Sequence, residues 1–551
     1  MLRRLLVFFL AVMLLAGVAV AAPAMLRTRR DRAAQPALRM PEPKTPVQQA
    51  CGLEPDLLVR IWRGHQSGRS EDITAVPAEP NYLGSFAVTS HSGPWDYLQR
   101  VPLVAYGPGR VPPNGQVETE ATLADVYATA EDWTQVELED RAGRGLTETV
   151  NAKRKPPKLL VFVMWDGVGR NVLERWPNRW PNLARLEREG TSYANATVGS
   201  SPSITPSTHA TLGTGAFPNE HGVTGIQYRD ENDKIAVAQA GRDVRDLELS
   251  TFADDFDRAL DNQPLVGTVA YRIWHIPMMG HGAATRGGDR DHLAIIGFDG
   301  KIHANYRFYE RPSYLEAFPG FQEHVDRLDQ KDGLKDGEWL EHPIAEEHDN
   351  PAWADYQTDM ILEMLEREGY GADATTDLFF TNYKMTDIVG HQYSMDSEEM
   401  GDVLEAQDRA LGRLVDYLDE NVRDYALLLS ADHGHTPSPE RSGAWPISQN
   451  ELESDLNERF GVAEGDTLTQ AITAVGPFLD AEVLEATGTT TDEVATFMNG
   501  YTIQDNWPKP DLPPGYEDRG AEPVFEAAFP SEHLDEVMQC AFGSATPPGE
   551  E

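Results

Sequence analysis

The chain has 551 residues, a formal net charge of −42 and only two cysteines. That length holds one large α/β domain with insertions, or two or three smaller domains. The acidity is spread along the chain and lysine is scarce, which excludes general affinity for nucleic acid or anionic membrane surfaces.

Arg3 and Arg4 precede an apolar run from Leu5 to Ala22, with small-residue cleavage points after it. Residues 1–24 read as an export signal or an uncleaved membrane anchor, and 25–50 as a Pro/Ala/Arg-rich linker. Either reading makes the body secreted or extracytoplasmic. Cys51 and Cys540 stand near the two ends of the mature chain, and in an oxidising compartment they are expected to pair.

Further along, Leu57–Trp62 and Ile73–Val76 are predicted strands. Val101–Tyr106 is a buried strand closed by the turn Gly107-Pro108-Gly109. Thr122–Trp133 is helical, and the polar, basic segment 141–157 reads as a connector. Leu159–Met164 is a continuous apolar run, as expected for a parallel strand covered on both faces. It ends in Trp165-Asp166-Gly167, where α/β sheets place their ligands. Helix Asn182–Glu189 leads to a loop of small hydroxyl residues, Ser200 to Thr208, broken by Pro202 and Pro206. A helix starts at His209. A hydroxyl at the start of a helix is well placed for nucleophilic chemistry.

Thr251–Leu260 is a predicted helix and Leu265–Tyr271 a strand. Residues 273–344, rich in Gly, His and Asp, hold further predicted short strands (Leu293–Phe298, Ile302–Tyr306) and read as a cap-like insertion over the site. His275, His281 and His292 are expected in a loop near the mouth of the site. Trp353–Glu368 is helical. The strand Asp377–Tyr383 runs into Asp387-x-x-x-His391. A long amphipathic helix covers Ser397–Asn421. The apolar strand Tyr425–Ser430 ends in Asp432-His433-Gly434-His435. Residues 441–551 hold three more predicted helices and no assignable role.

Strand–helix alternation predicts an α/β fold, a three-layer sandwich around a mostly parallel central sheet. Three apolar strands end in metal-capable residues: Asp166, the pair Asp387 and His391, and the pair Asp432 and His433. Mixed oxygen and nitrogen donors suit zinc or manganese better than calcium.

With these residues in view, the chain resembles the alkaline phosphatase superfamily, and most closely its nucleotide pyrophosphatase/phosphodiesterase branch. That branch carries Thr-Phe-Pro-Asn-His, then Thr-Gly, then Tyr-Pro-x-x-His-Gly. Here the run is Thr205-Pro206-Ser207-Thr208-His209, then Thr214-Gly215, then Phe217-Pro218-Asn219-Glu220-His221-Gly222, without a gap. The resemblance implies Thr205 as nucleophile, with Ser203 and Ser207 as competitors. It puts Thr208 where the family has an Asn that binds the substrate. It implies two divalent metal ions, zinc with manganese as the alternative. Asp166, Thr205, Asp432 and His433 would hold one, and Asp387 and His391 the other.

The second ion lacks a third ligand downstream, where after His435 only His533 remains. Residues 89–133 (His91, then Val101–Gly109, then Asp125 with Thr129) resemble the segment that normally closes this fold. The resemblance therefore implies a circular permutation: 51–140 would be the normally C-terminal part of the catalytic domain. The segment 141–157 would connect it to the main part, 158–440, and His91 would be the missing ligand, with His435 as fallback. The implied activity is hydrolysis of a small phosphodiester or nucleotide pyrophosphate through a phospho-threonine. A phosphomonoesterase or phosphonate hydrolase is the alternative within the fold. A non-catalytic metal-binding envelope protein is the alternative outside it.

Overall fold

The computed structural model describes residues 44–550, apart from 85–86, 152, 298 and 345–348. The export or anchor segment and most of the linker lie outside the described residues. Among those described, no helix is long and apolar enough to cross a membrane.

The core of the main body is a ten-stranded sheet. In chain order its strands are β1 (Leu103–Tyr106), β2 (Gly115–Thr122), β3 (Leu159–Trp165), β4 (Thr191–Thr197), β5 (Val266–Tyr271), β6 (Asp291–Ile296), β7 (Ile302–His303), β8 (Tyr309–Glu310), β9 (Asp377–Tyr383) and β10 (Tyr425–Ser430). Across the sheet they run β7-β6-β5-β9-β3-β10-β1-β4-β2, with β8 beside β6. The central strands β5, β9, β3 and β10 are parallel. Every residue of these four is buried, as the apolar runs of β3 and β10 require. β1 is antiparallel to both neighbours, β10 and β4.

Two groups of helices cover the sheet. One holds Pro181–Glu189, Ala352–Glu368, Met385–Tyr393 and Glu398–Tyr417; the other holds Asp125–Thr134, Thr205–Thr214, Phe252–Ala259 and Ile276–Met279. Ser397 caps the long helix by accepting from Met400 N at 3.2 Å, and Leu404, Leu411 and Leu414 face the core.

Residues 46–77 and 441–550 build a second body of packing. Ile73–Pro77 pairs antiparallel with Phe525–Pro530. Trp445, Leu452, Val494, Met498 and Phe525 fill one core. Ala50, Leu58, Ile61, Phe529 and Val537 fill a smaller one beside it. Cys51 and Cys540 are disulfide-bonded, with Cα atoms 5.8 Å apart.

Three expectations differ from this structure. Leu57–Trp62, read as a strand, lies in the helix Pro55–Gly64. Pro55 opens the first turn, and Leu57, Leu58 and Ile61 fall on one buried face at helical spacing. The linker ends earlier than residue 50, because Pro46–Ala50 is a helix capped by Thr45. Within 273–344, β6, β7 and β8 extend one edge of the central sheet, so this segment is continuous with the main body.

Candidate active site

The site forms where the parallel strands end. Asp166 follows β3 directly and is fully buried. Asp432 and His433 follow β10 after Ala431, with 0% exposure. After β9 the chain turns at Lys384 into the helix Met385–Tyr393. Asp387 and His391, four apart, share one face of that helix. Thr205 is the first residue of the helix Thr205–Thr214, all ten residues of which are buried. The helix therefore starts four residues earlier than the sequence suggests and carries Thr205 itself at the positive end of its dipole.

His91 comes from the loop ahead of β1. That loop is tied to the other site loops: Thr89 Oγ1 donates to Gly390 O at 2.8 Å, and Thr436 N to Ser90 O at 3.0 Å. His91 Nε2 lies 3.3 Å from Asp387 Oδ1, and His391 Nε2 lies 3.4 Å from the same oxygen. His433 Nε2 lies 3.4 Å from Asp432 Oδ2 and 3.6 Å from Asp166 Oδ1. The imidazoles of His91 and His433 stack with centroids 3.4 Å apart.

Three of these histidines are oriented alike. His91 Nδ1 meets Ser203 O at 2.9 Å, His391 Nδ1 meets Thr89 O at 2.9 Å, and His433 Nδ1 meets Gly434 O at 3.0 Å. A carbonyl only accepts, so each Nδ1 carries the proton and each Nε2 is turned to the site; at His391, burial is outweighed by Asp387, which raises the imidazole pKa. This is how proteins fix metal-binding imidazoles.

The donor set fits divalent metal ions. Asp387 Oδ1, Asp432 Oδ2 and His433 Nε2 are buried without a hydrogen-bond partner. Such atoms cost about 1–3 kcal/mol each unless a ligand satisfies them. Oxygen and nitrogen ligands at about 2.0–2.1 Å from a tetrahedral zinc stand roughly 3.3 Å apart, close to the 3.3–3.6 Å separations above. His91, Asp387 and His433 form one compact group, and Asp166, Asp432 and His433 another.

Burial sets the electrostatics. It pushes the Asp166 carboxyl well up, reinforced by Asp432, and raises Asp432 to about 6. Burial acts on Asp387 in the same sense, but Lys384 and His391 outweigh it and hold Asp387 well below the usual range. Burial keeps His91 and His433 neutral, the form that binds metal.

Several residues enter that sequence reasoning missed or placed elsewhere. Lys384, buried, donates to Asp166 Oδ1 at 2.8 Å and to Thr205 Oγ1 at 2.9 Å, and its Nζ lies 2.7 Å from Asp387 Oδ2. Its one sequence signal is a lysine at the end of an apolar strand in a lysine-poor chain. His275 is no loop residue at the mouth. It is fully buried, with Nδ1 3.2 Å from His209 Nε2 and 3.8 Å from Asp166 Oδ2. His435, the fallback ligand of the sequence reading, is also fully buried, with Nε2 3.7 Å from Asp387 Oδ1. Gly167 and Gly390 make room for it, since a Cβ on either would lie within 2.6 Å of His435 Nε2. His281 pairs with Asp254 at 2.7 Å, His292 with the Tyr370 hydroxyl at 2.9 Å, and His533 with Glu536 at 3.1 Å.

Thr208 differs from expectation. Its hydroxyl donates along its own helix to Ile204 O and Thr205 O, both at 3.1 Å. A threonine in a first helical turn satisfies itself this way, so it presents no free donor to a substrate.

A mostly parallel sheet whose strand ends gather aspartates, histidines and a helix-borne threonine is the architecture of the alkaline phosphatase superfamily. Residues 160–503, more than half the chain, match the family model "Type I phosphodiesterase / nucleotide pyrophosphatase", and the chain belongs to that family. It is 26% identical over 414 residues to a calcium-transporting ATPase of Myroides odoratus, covering 62% of this chain and 72% of that protein. It is 24% identical over 342 residues to the alkaline phosphatase PhoV of Synechococcus elongatus, covering 51% of this chain and 60% of PhoV. The crystal structure of the wild-type alkaline phosphatase PafA superposes with a TM-score of 0.48 at 17% identity, covering 65% of this chain and 78% of that one.

Proposed function

We propose that this protein is a metal-dependent hydrolase of phosphate esters, acting on a phosphodiester or nucleotide pyrophosphate through a phospho-threonine at Thr205. The observation that carries this reading is Thr205 Oγ1 at the head of a buried helix, beside two groups of metal-capable side chains. Membership of the phosphodiesterase family supports it.

Asp166, Asp432, His433 and Thr205 would hold one divalent ion, and Asp387, His391 and His91 the other. When bound, the two ions supply Lewis acidity to the threonine hydroxyl and to the leaving oxygen. Zinc suits the donors, with manganese as the alternative. The chain's own residues do the rest. The helix start stabilises negative charge on Oγ1 and on the phosphoryl group. Oγ1 releases its proton to solvent and attacks, forming the Oγ1–P bond. The bond to the leaving oxygen breaks, and that oxygen departs with the electron pair and takes a proton from water. Water then cleaves the phospho-threonine and restores the hydroxyl.

The position of His91 supports a permuted chain order. Its loop and β1 precede β3 in sequence, yet β1 pairs with β10 and His91 lies against Asp387. A phosphomonoester is the second substrate reading, favoured by the likeness to PhoV. The disulfide supports an extracytoplasmic location. The small ester is the one partner this reading needs; with a charge of −42, nucleic acid is not expected as another.

The test is metal content together with turnover of chromogenic phosphodiesters and phosphomonoesters. Wild type should carry two ions per chain and cleave at least one ester class. Thr205→Ala should keep its metal and lose turnover by roughly 10⁴-fold or more. Normal turnover by that variant would overturn the nucleophile assignment.

A further inference from the structure

We propose that Lys384 is a catalytic residue of this site: its ammonium is the donor that holds a non-bridging oxygen of the phosphoryl group transferred to Thr205. The inference rests on the phosphate-ester reading above and names a residue that reading did not need.

Position comes first. Lys384 caps the helix Met385–Tyr393 directly after a central strand, so its backbone is anchored on a rigid element. The side chain is 5% exposed. Its Nζ lies 2.9 Å from Thr205 Oγ1, and a phosphoryl oxygen on that threonine is only two bonds from Oγ1. A small swing of the lysine end brings the ammonium onto it. The step needs no proton transfer, because the ammonium keeps its proton and donates a hydrogen bond.

Three other side-chain donors of this region are already engaged, while the Ser207 hydroxyl, which is neutral, is buried without a partner. The Thr208 hydroxyl donates to Ile204 O and Thr205 O. The Ser203 hydroxyl donates to Gly93 O at 3.4 Å. Asn382 Nδ2 lies 2.8 Å from His209 Nε2 and 3.3 Å from Asp166 Oδ2. Among the described residues, Lys384 is the cationic side chain recorded in contact with the Thr205 hydroxyl. A preorganised cation in a water-poor site stabilises charge developing on phosphoryl oxygens far more than one in solvent.

The competing role is charge balance alone, since Lys384 also touches Asp166 and Asp387. The two roles separate on readouts other than turnover. Full-length protein, loaded with zinc, is compared as wild type, Lys384→Met and Lys384→Arg. Metal per chain, melting temperature, orthophosphate affinity by calorimetry, and kcat and KM on a chromogenic phosphodiester are measured for each. The expected result for Lys384→Met is both metals retained, orthophosphate binding weakened at least tenfold, and kcat lowered roughly 100-fold or more. Lys384→Arg should regain part of the phosphate affinity. Unchanged orthophosphate affinity in metal-loaded Lys384→Met overturns the proposal. So does loss of metal in that variant, which assigns Lys384 to the carboxylates. If Lys384→Met does not fold, Lys384→Gln, which keeps a neutral donor, is read by the same criteria. Wild type that binds no metal and cleaves no ester fails the phosphate-ester reading itself, and this proposal with it.

Discussion

Two regions of this molecule solve burial in opposite ways. The terminal body, built from residues 46–77 and 441–550, buries an ordinary apolar core around Trp445, Leu452, Val494 and Phe525 and is closed by a disulfide. From residue 441 onward, no described buried side-chain nitrogen or oxygen lacks a hydrogen-bond partner; within 46–77, Arg63 Nε, His65 Nδ1 and Gln66 Oε1 do. The strand ends of the main sheet do the reverse. Asp166, Asp387 and Asp432 are buried together with His91, His433 and His435, and six atoms of Asp387, Asp432, His275, His433 and His435 are left without partners. Stability asks for the first arrangement. The second is tolerated where a ligand completes it, and it marks the functional end of the sheet.

Changes at the unsatisfied site should remove function and spare the fold, and changes in the terminal body should do the reverse. After Thr205→Ala, the largest effect is expected from His91→Ala. One of two metals should be lost and turnover should fall at least about 100-fold, since even residues that merely orient metal ligands contribute 10–100-fold. Elemental analysis beside a rate assay checks it. A variant with both metals and normal turnover would break the permuted ligand assignment and send the search to His435.

The disulfide gives the converse. It joins residues 489 apart in sequence. Cys51→Ser with Cys540→Ser should destabilise the protein by about 2–5 kcal/mol, seen as a lower calorimetric melting temperature. The rate per folded molecule should stay that of wild type. A variant equally stable but catalytically weakened would erase the contrast.

The smallest effect concerns pH. Burial pushes the Glu71 carboxyl up to about 7 from 4.5. The folded state therefore keeps a proton that the unfolded chain releases between those values. Stability should fall as pH rises from 4.5 to 7, by up to about 3–4 kcal/mol, and then level off. Glu71→Gln should flatten that part of the stability–pH curve. Parallel curves for wild type and variant would show that Glu71 titrates normally.

Much of this molecule is legible without coordinates. Apolar runs such as Leu159–Met164 and Tyr425–Ser430 become central strands because only a doubly covered strand accommodates them. Acidic and histidine residues directly after such strands are confined to one end of the sheet, which is why Asp166, Asp387, His391, Asp432 and His433 could be named. The two cysteines could be paired because there were only two. Tertiary structure alone decided the rest. Leu57–Trp62 became a helix because its burial partners lie almost the length of the chain away, at Phe529 and Val537. β6 and β7 joined the sheet edge because β5 offered an open flank. Thr208 turned its hydroxyl onto its own helix, a local choice that residue spacing does not show. Lys384 and His275 reached the site through contacts between loops far apart in sequence, such as Lys384 to Thr205 and His275 to Asp166. Local patterning determines which residues stand at the strand ends; the convergence of distant loops determines which of them touch, because that geometry is set by packing and by no periodicity in the chain.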